Sequence, residues 1–472
     1  MCGNTQCTNG GFLKPEWGKE IIFGRLEQSM KDYTIHPSLR RKMPVIDYGK
    51  GVYIYDKDGN RYLDGCGGAM TASLGHAVPE IVEAMREQAS KITFAYRFQF
   101  TSEPAQKLSS MIAEMAPGSV NWSFYANSGS EATELAIKMA RKYFLDKGKP
   151  SKYWIISRWT SYHGITLGAL SLSGNIRRRF RYTPLLHNFP DMYPPYCYNC
   201  LFEKTYPECN CYCARQLEHV IHQMTPEYVA GFISEPLIGA SGAAIYGPPE
   251  YYKIIREICD EYDVLLIADE VITGFGRTGK NFGIEHWNVE PDIICFGKGV
   301  SAGYTPLSGI TVSDKIYNTI KEGSGTFAPG HTLASNPLST AVGYRVLLYI
   351  KEHNLVEAAR EKGEYLKKRF EELMEKHPMI GEVRGKGLML GIEFVKDREK
   401  KVFFAAKEGA TEAVVKGCFD NGLIIYPAKG AYNGVKGDSI LITPPLVINK
   451  EEMDEMVEIL DKVIGEAESK LL

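Results

Sequence analysis

Short apolar runs and amphipathic stretches alternate through the middle of the chain. Small or apolar residues recur at Ala132, Leu135, Ala136, Met139, Ala140 and Tyr143. This is the i, i+3, i+4, i+7, i+8, i+11 spacing of one helix face, and it predicts a helix over 130–144. Further helices are expected at Pro79–Lys91, Glu103–Met115 and Pro248–Tyr262. Between them lie mainly apolar runs at Tyr153–Ser157, Ala230–Ser234, Val264–Ala268, Asp292–Phe296 and Leu307–Val312. Such runs, bounded by helices, read as strands of a mostly parallel sheet covered on both faces. Ligands of these sheets collect beyond the carboxyl ends of the strands.

The pattern changes near residue 340. Long helices are expected at Leu338–Lys351 and Leu355–Lys376, then strands at Leu388–Phe394, Leu423–Tyr426 and Ser439–Thr443. A helix near Val402–Asp420 lies between the first two strands, and a last helix covers Lys450–Glu468. This reads as a smaller α+β domain. Upstream, Val52–Tyr55 and Arg61–Leu63 flank Asp58-Gly59-Asn60 as a hairpin, and the first ~30 residues read as weakly structured. A length of 472 residues fits two or three domains at roughly 150 each. The expected division is an N-terminal segment, 1–75, packing with the small domain; a large domain, 76–340; and the small domain, 341–472.

Composition narrows the function. Lys and Arg number 55 and Asp and Glu 57, a formal net charge of −2. That balance speaks against a nucleic-acid partner and against an acidic tail protein. No apolar run approaches ~18 residues, so no membrane span is expected. Met1–Ile22 lacks an apolar h-region and carries Lys14, Glu16, Lys19 and Glu20, so no signal peptide is expected either. The cysteines number 11, an odd count that is no disulfide framework and suits a reducing cytoplasm. They cluster only in an insertion at about 195–215. There Cys197, Cys200, Cys209, Cys211 and Cys213 are candidate zinc ligands. The C-x-C-x-C spacing is not the usual pairing, and the expected reading is reduced surface thiols with no metal. Arg177-Arg178-Arg179-Phe180-Arg181 reads as a solvated or phosphate-facing loop.

The strongest chemical signal is an ionisable residue at each of two strand ends. Asp269 follows Val264–Ala268 and Lys298 lies just beyond Asp292–Phe296. Adjacent strands would hold a carboxylate and an amine on one rim. A lysine there loses hydration, which favours the neutral amine that Schiff-base chemistry requires. Asn127-Ser128-Gly129-Ser130-Glu131-Ala132 opens the 130–144 helix; Ser130 reads as its cap, with a hydroxyl able to reach a phosphate. Tyr162-His163-Gly164 follows a strand, where an aromatic can stack on a flat ring. Thr332 precedes another helix and can donate to an anion.

These motifs resemble the class III, omega-type aminotransferases that use pyridoxal 5′-phosphate (PLP) on the fold-type-I scaffold. The resemblance covers nearly the whole chain, through Leu74-Gly75-His76, Glu235-Pro236 and Thr443-Pro444-Pro445-Leu446. It implies an α/β fold with a mostly parallel sheet flanked by helices in a large PLP-binding domain, plus the small α+β domain. Lys298 is then the Schiff-base lysine and Asp269 the partner of the pyridine nitrogen. Val271 and Tyr162 press on the two ring faces, and Gly129 and Ser130 hold the phosphate. Thr332 resembles the threonine that reaches the phosphate of a neighbouring subunit, which implies a homodimer with shared active sites. Arg384 resembles the arginine that pairs with a substrate carboxylate, and Glu235 a site glutamate that pairs with an arginine in some members. Many members carry a mobile arginine where Tyr426 stands here. Arg97 and Lys436 are the substitutes considered for it.

The expected activity is transfer of an amino group from an omega-amino acid of the taurine, β-alanine or 4-aminobutyrate type. Pyruvate or 2-oxoglutarate is the expected acceptor. The alternatives are another PLP outcome (decarboxylase, racemase or aminomutase) or a metal-clipped, non-catalytic interaction protein.

Overall fold

The computed structural model describes residues 32–472. At its centre is a six-stranded sheet, in the order Val120–Ala126, Ser308–Ser313, Ile293–Phe296, Leu265–Asp269, Val229–Ser234, Trp154–Ile156. The last four strands are mutually parallel, and Ser308–Ser313 runs antiparallel to both of its neighbours. Every residue of Val229–Ser234, Leu265–Asp269, Ile293–Phe296 and Ser308–Ser313 is buried. A strand covered on both faces has no solvent side for polar residues, which explains the apolar runs.

One cover is the helix Gly129–Asp146. Its Ala132, Leu135, Ala136, Met139, Ala140 and Tyr143 pack with Ile155, Ile233, Leu265, Ile267, Ile293 and Ile310. Each fully buried Leu or Ile contributes roughly 1.5–3 kcal/mol. The opposite face, with Phe232, Leu266, Ala268, Ile294 and Phe296, belongs to the larger core.

A second, four-stranded sheet is antiparallel throughout: Ile380–Lys386, Met389–Phe394, Lys436–Ile442, Tyr426–Tyr432. Helices Leu355–Lys376, Ala410–Asp420 and Lys450–Leu471 bury Phe370, Val414 and Leu460 in the same larger core. A third sheet joins distant parts of the chain. Tyr53–Asp56 pairs antiparallel with Arg61–Asp64, which pairs parallel with Leu423–Ile424. Nearby, the Thr443 hydroxyl donates to the Cys66 carbonyl across 377 residues. Residues 46–472 belong to one compact unit, and residues 32–45 to a separate one. In the latter the Asp32 carboxylate accepts from the Thr34 amide at 2.8 Å.

Helices Pro79–Lys91, Glu103–Met115 and Leu355–Lys376 fall where periodicity put them. The expected helix near Val402–Asp420 is shorter and starts at Ala410. Val402 instead bonds Asp397, and Gly409, at φ +64°, caps the helix in a left-handed conformation. Strands Val120–Ala126 and Ile380–Lys386 and helix Tyr212–Met224 were not expected. Both strands mix polar and small residues with apolar ones, which blurs a period of two. The weak structure expected of the first ~30 residues falls outside the described residues. Among the described residues, no helix is long and apolar enough to cross a membrane.

Gly363 is where the helix Leu355–Lys376 crosses a turn of the second sheet. A Cβ there would lie 2.2 Å from the Gly387 carbonyl oxygen. Both partners are backbone, so neither can swing aside. Gly363→Ala is expected to cost at least about 1–3 kcal/mol of stability, read as a lower denaturant midpoint at unchanged slope.

Candidate functional site

A cavity of about 180 Å³ opens at the carboxyl ends of the parallel strands. Gly129, Ser130, Tyr162, His163, Gly164, Glu235, Asp269, Val271, Ile272 and Lys298 line it. Asp269 ends its strand opposite Cys295, three residues before Lys298. The sheet register therefore delivers both ionisable groups to one rim. Lys298 sits at φ +42°, left-handed backbone that costs a side-chain-bearing residue about 1 kcal/mol or more. The surrounding strand and the turn Lys298–Val300 hold it there.

Hydrogen bonds fix the anionic groups. Asp269 Oδ1 accepts from the Val271 amide at 3.1 Å, and Oδ2 lies 2.7 Å from His163 Nδ1. A carboxylate offers about four acceptor sites, so Asp269 keeps capacity toward the cavity. The other ring nitrogen of His163 is buried without a hydrogen-bond partner among the described residues. Burial pushes the Lys298 ammonium down to about 8, against the opposing pull of Asp269 and Glu235. Burial raises the Glu235 carboxyl, and Asp269 adds to the rise, while His163 and two backbone amides oppose it.

The helix Gly129–Asp146 presents its N-terminus to the same cavity. Its cap is Ser128, not Ser130 as the sequence suggested. The Ser128 hydroxyl accepts from the Glu131 amide at 3.3 Å, and Glu131 accepts from the Ser128 amide at 2.9 Å. This leaves Ser130 on the cavity wall, where its hydroxyl accepts from the Ile165 amide at 2.9 Å and retains its own proton to donate. Gly164 is needed beside it: a Cβ at that position would lie 2.5 Å from the Ser130 hydroxyl. Gly129 is needed too, since its Cβ would lie 2.9 Å from Val271 Cγ1.

The structure thus brings Gly129, Ser130, Tyr162, Glu235, Asp269, Val271 and Lys298 to one cavity. Thr332, Arg97 and Arg384 are not on its walls. Thr332 is exposed; its neighbour His331 lies 3.1 Å from Glu131 at the helix start. Arg97 stacks over Phe124 at 4.3 Å and lines a separate cavity of about 430 Å³. Lys436 is exposed at a strand end. Glu235 meets the Tyr162 and Gly239 amides, each at 2.9 Å; the nearby arginine, Arg158, donates to its carbonyl instead. The sequence reading named His163 within Tyr162-His163-Gly164 but gave it no role; its bond to Asp269 spans 106 residues and leaves no local signal.

Arg384 corrects the sequence reading most. Its guanidinium is buried and bonds Glu393, Glu382 at 2.6 Å, and the Gly242 and Ala243 carbonyls at 2.9 Å each. Four of its five N–H donors are taken, and it lies away from the Lys298 cavity. The cysteines of the insertion are free thiols, and Cys197, Cys200, Cys209 and Cys213 line a cavity of about 20 Å³. Among the described residues no group of three or more His, Cys, Asp or Glu is arranged to hold a metal ion. Arg384→Met is expected to destabilise the fold by about 3–5 kcal/mol in urea unfolding, because Glu393 is left buried and uncompensated. Adding Glu393→Gln should recover part of that loss.

The family model for aminotransferase class-III matches residues 37–464. The uncharacterised aminotransferase YodT of Bacillus subtilis (strain 168) is 45% identical over 442 residues, 94% of this chain and 99% of that one. A putrescine–pyruvate aminotransferase of Pseudomonas aeruginosa is 34% identical, covering 94% and 96%. The omega transaminase of Pseudomonas jessenii, solved in complex with PMP, superposes with a TM-score of 0.86 at 31% identity, covering 95% and 98%. On this likeness, across nearly its full length, the chain belongs to the class III aminotransferases, enzymes of PLP fold type I that depend on pyridoxal 5′-phosphate.

Proposed function

We propose that this enzyme moves the amino group of an omega-amino acid of the taurine, β-alanine or 4-aminobutyrate type to pyruvate or 2-oxoglutarate. Lys298 is its central residue. The observation that carries the reading is the buried Lys298 amine beside Asp269, in a cavity that also holds a helix N-terminus.

The residues present fit PLP. The glycine cradle at Gly129 and Gly164 leaves room beside Ser130, whose hydroxyl and helix N-terminus suit a phosphate. Asp269, anchored by His163, suits a protonated ring nitrogen. Val271 and Tyr162 supply apolar walls for the ring. When bound, PLP supplies the electron sink that stabilises a substrate carbanion. Lys298, neutral, would hold PLP through its Nζ, and once released Nζ would accept and return the migrating proton. Asp269 holds its negative charge where a ring proton needs it. His163 keeps that carboxylate oriented.

The proposal includes a homodimer in the cytoplasm, with Thr332 of one protomer reaching the phosphate held by its partner. Support comes from the exposure of Thr332 and from Phe94, Tyr96, Phe98 and Phe100, large apolar residues left exposed along one stretch.

A donor screen tests the substrate reading. Taurine, β-alanine, 4-aminobutyrate and putrescine are each offered with pyruvate or 2-oxoglutarate, and amino-acid product is measured. An omega-amino acid should be the best donor, and Lys298→Ala should lower kcat by at least about 10²–10⁴-fold. Donor turnover with loss of CO₂ and no need for an acceptor would sink the reading. The pH dependence is a second check. The neutral fraction of an amine with a pKa of about 8 grows as pH rises, so PLP uptake by the apo-protein, followed by absorbance, should speed up to about pH 8 and then level off.

A further inference from the structure

The sequence offered Arg384, Arg97 and Lys436 to hold a substrate carboxylate. The structure commits the first, places the second over the Phe124 ring in another cavity, and leaves the third at a strand end. Tyr426 stands where many members of the family carry a mobile arginine. A different cation has come to it. Arg178 Nη2 donates to the Tyr426 hydroxyl at 3.4 Å, and its guanidinium carbon lies 5.5 Å over the ring of Tyr162. Tyr162 is itself a wall of the cavity that holds Lys298; Arg178 is not among the lining residues and meets the cavity through Tyr162.

We infer that Arg178 is the residue that grips the carboxylate of the 2-oxo acid acceptor. This rests on the proposed function, since it presumes carboxylate-bearing substrates. Three observations carry it. First, Arg178 is exposed and makes no ion pair among the described residues, so its charge is available. Second, its backbone is anchored. The adjacent Arg179 is buried and donates to the carbonyls of Leu170, Ser171 and Ser173 at 2.9, 2.7 and 2.5 Å. Asn175 caps the turn by accepting from the Arg177 amide at 3.1 Å and donates to Ser241 at 2.8 Å. Third, the aromatic contact and the Tyr426 hydroxyl present a planar fork that matches a carboxylate at two points. In the run 177–181, Arg179 is the structural anchor and Arg178 the ligand.

The test compares pyruvate with propanal, an acceptor of equal carbon count without the carboxylate, on the PLP-loaded enzyme. Arg178→Ala should lower the ratio of the two kcat/KM values by about 10–100-fold, mainly through KM for pyruvate. Arg178→Lys should recover only part, because an ammonium lacks the two-point fork. Arg181→Ala, at an exposed neighbour whose guanidinium lies 5.2 Å over the Phe180 ring, should leave the ratio in place. Calorimetric affinity for malonate, a carboxylate with no reacting carbonyl, should fall with the same pattern. If Arg178→Ala weakens both acceptors alike, or leaves pyruvate and malonate unaffected while the wild type uses pyruvate, the role is overturned. If the wild type turns over propanal but neither 2-oxo acid, the acceptor reading fails, and this inference with it.

Discussion

The site depends on the register between two buried parallel strands. Leu265, Ile267 and Asp269 share one face of their strand, because side chains alternate along it. Leu265 and Ile267 pack under the helix Gly129–Asp146, and Asp269 continues that line to the point where the helix begins. A slip of one residue would turn Asp269 toward the opposite core of Leu266, Ala268 and Phe296. A carboxylate there would meet neither the Val271 amide nor His163. Apolar packing along the strand thus specifies where the charge emerges, and the same pairing with Ile293–Phe296 sets the distance to Lys298.

Buried cations serve two purposes in this molecule. Arg158, Arg277 and Arg384 are buried and bond backbone carbonyls of segments distant in sequence. A guanidinium suits this because its five donors fan out in one plane and it keeps its charge. Lys298 is buried for the opposite reason. Enclosure disfavours its charge, and the nearby carboxylates only partly restore it. Burial alone therefore does not separate a structural cation from a chemical one. What distinguishes them is that backbone carbonyls hold the guanidinium groups.

Much of this was legible along the chain. The central strands followed from unbroken apolar runs, because they are covered on both faces, and the helix over 130–144 from periodicity, because it is buried on one. Asp269 and Lys298 were legible because each follows an apolar run that could only be a strand. The reading failed where the deciding contact was tertiary. Ser128 rather than Ser130 became the cap, since Glu131 completes the reciprocal pair only with Ser128. Arg384 looked available beside its strand, but Glu393, diagonal to it on the neighbouring strand, binds it in a register that sequence spacing does not reveal. Arg178 was hidden inside a run of arginines whose members differ only in what surrounds them.

The strand Arg61–Asp64 has a further consequence for how the protein is made. Its neighbour on one side is synthesised moments earlier, but Leu423–Ile424 leaves the ribosome only after the whole central sheet has been translated. Until then one row of amide and carbonyl groups stands open, the kind of edge that recruits foreign strands. Leu423–Ile424 and Thr443 act in effect as a late clasp on a nascent chain, so a ribosome stalled before that point would release a species prone to aggregate.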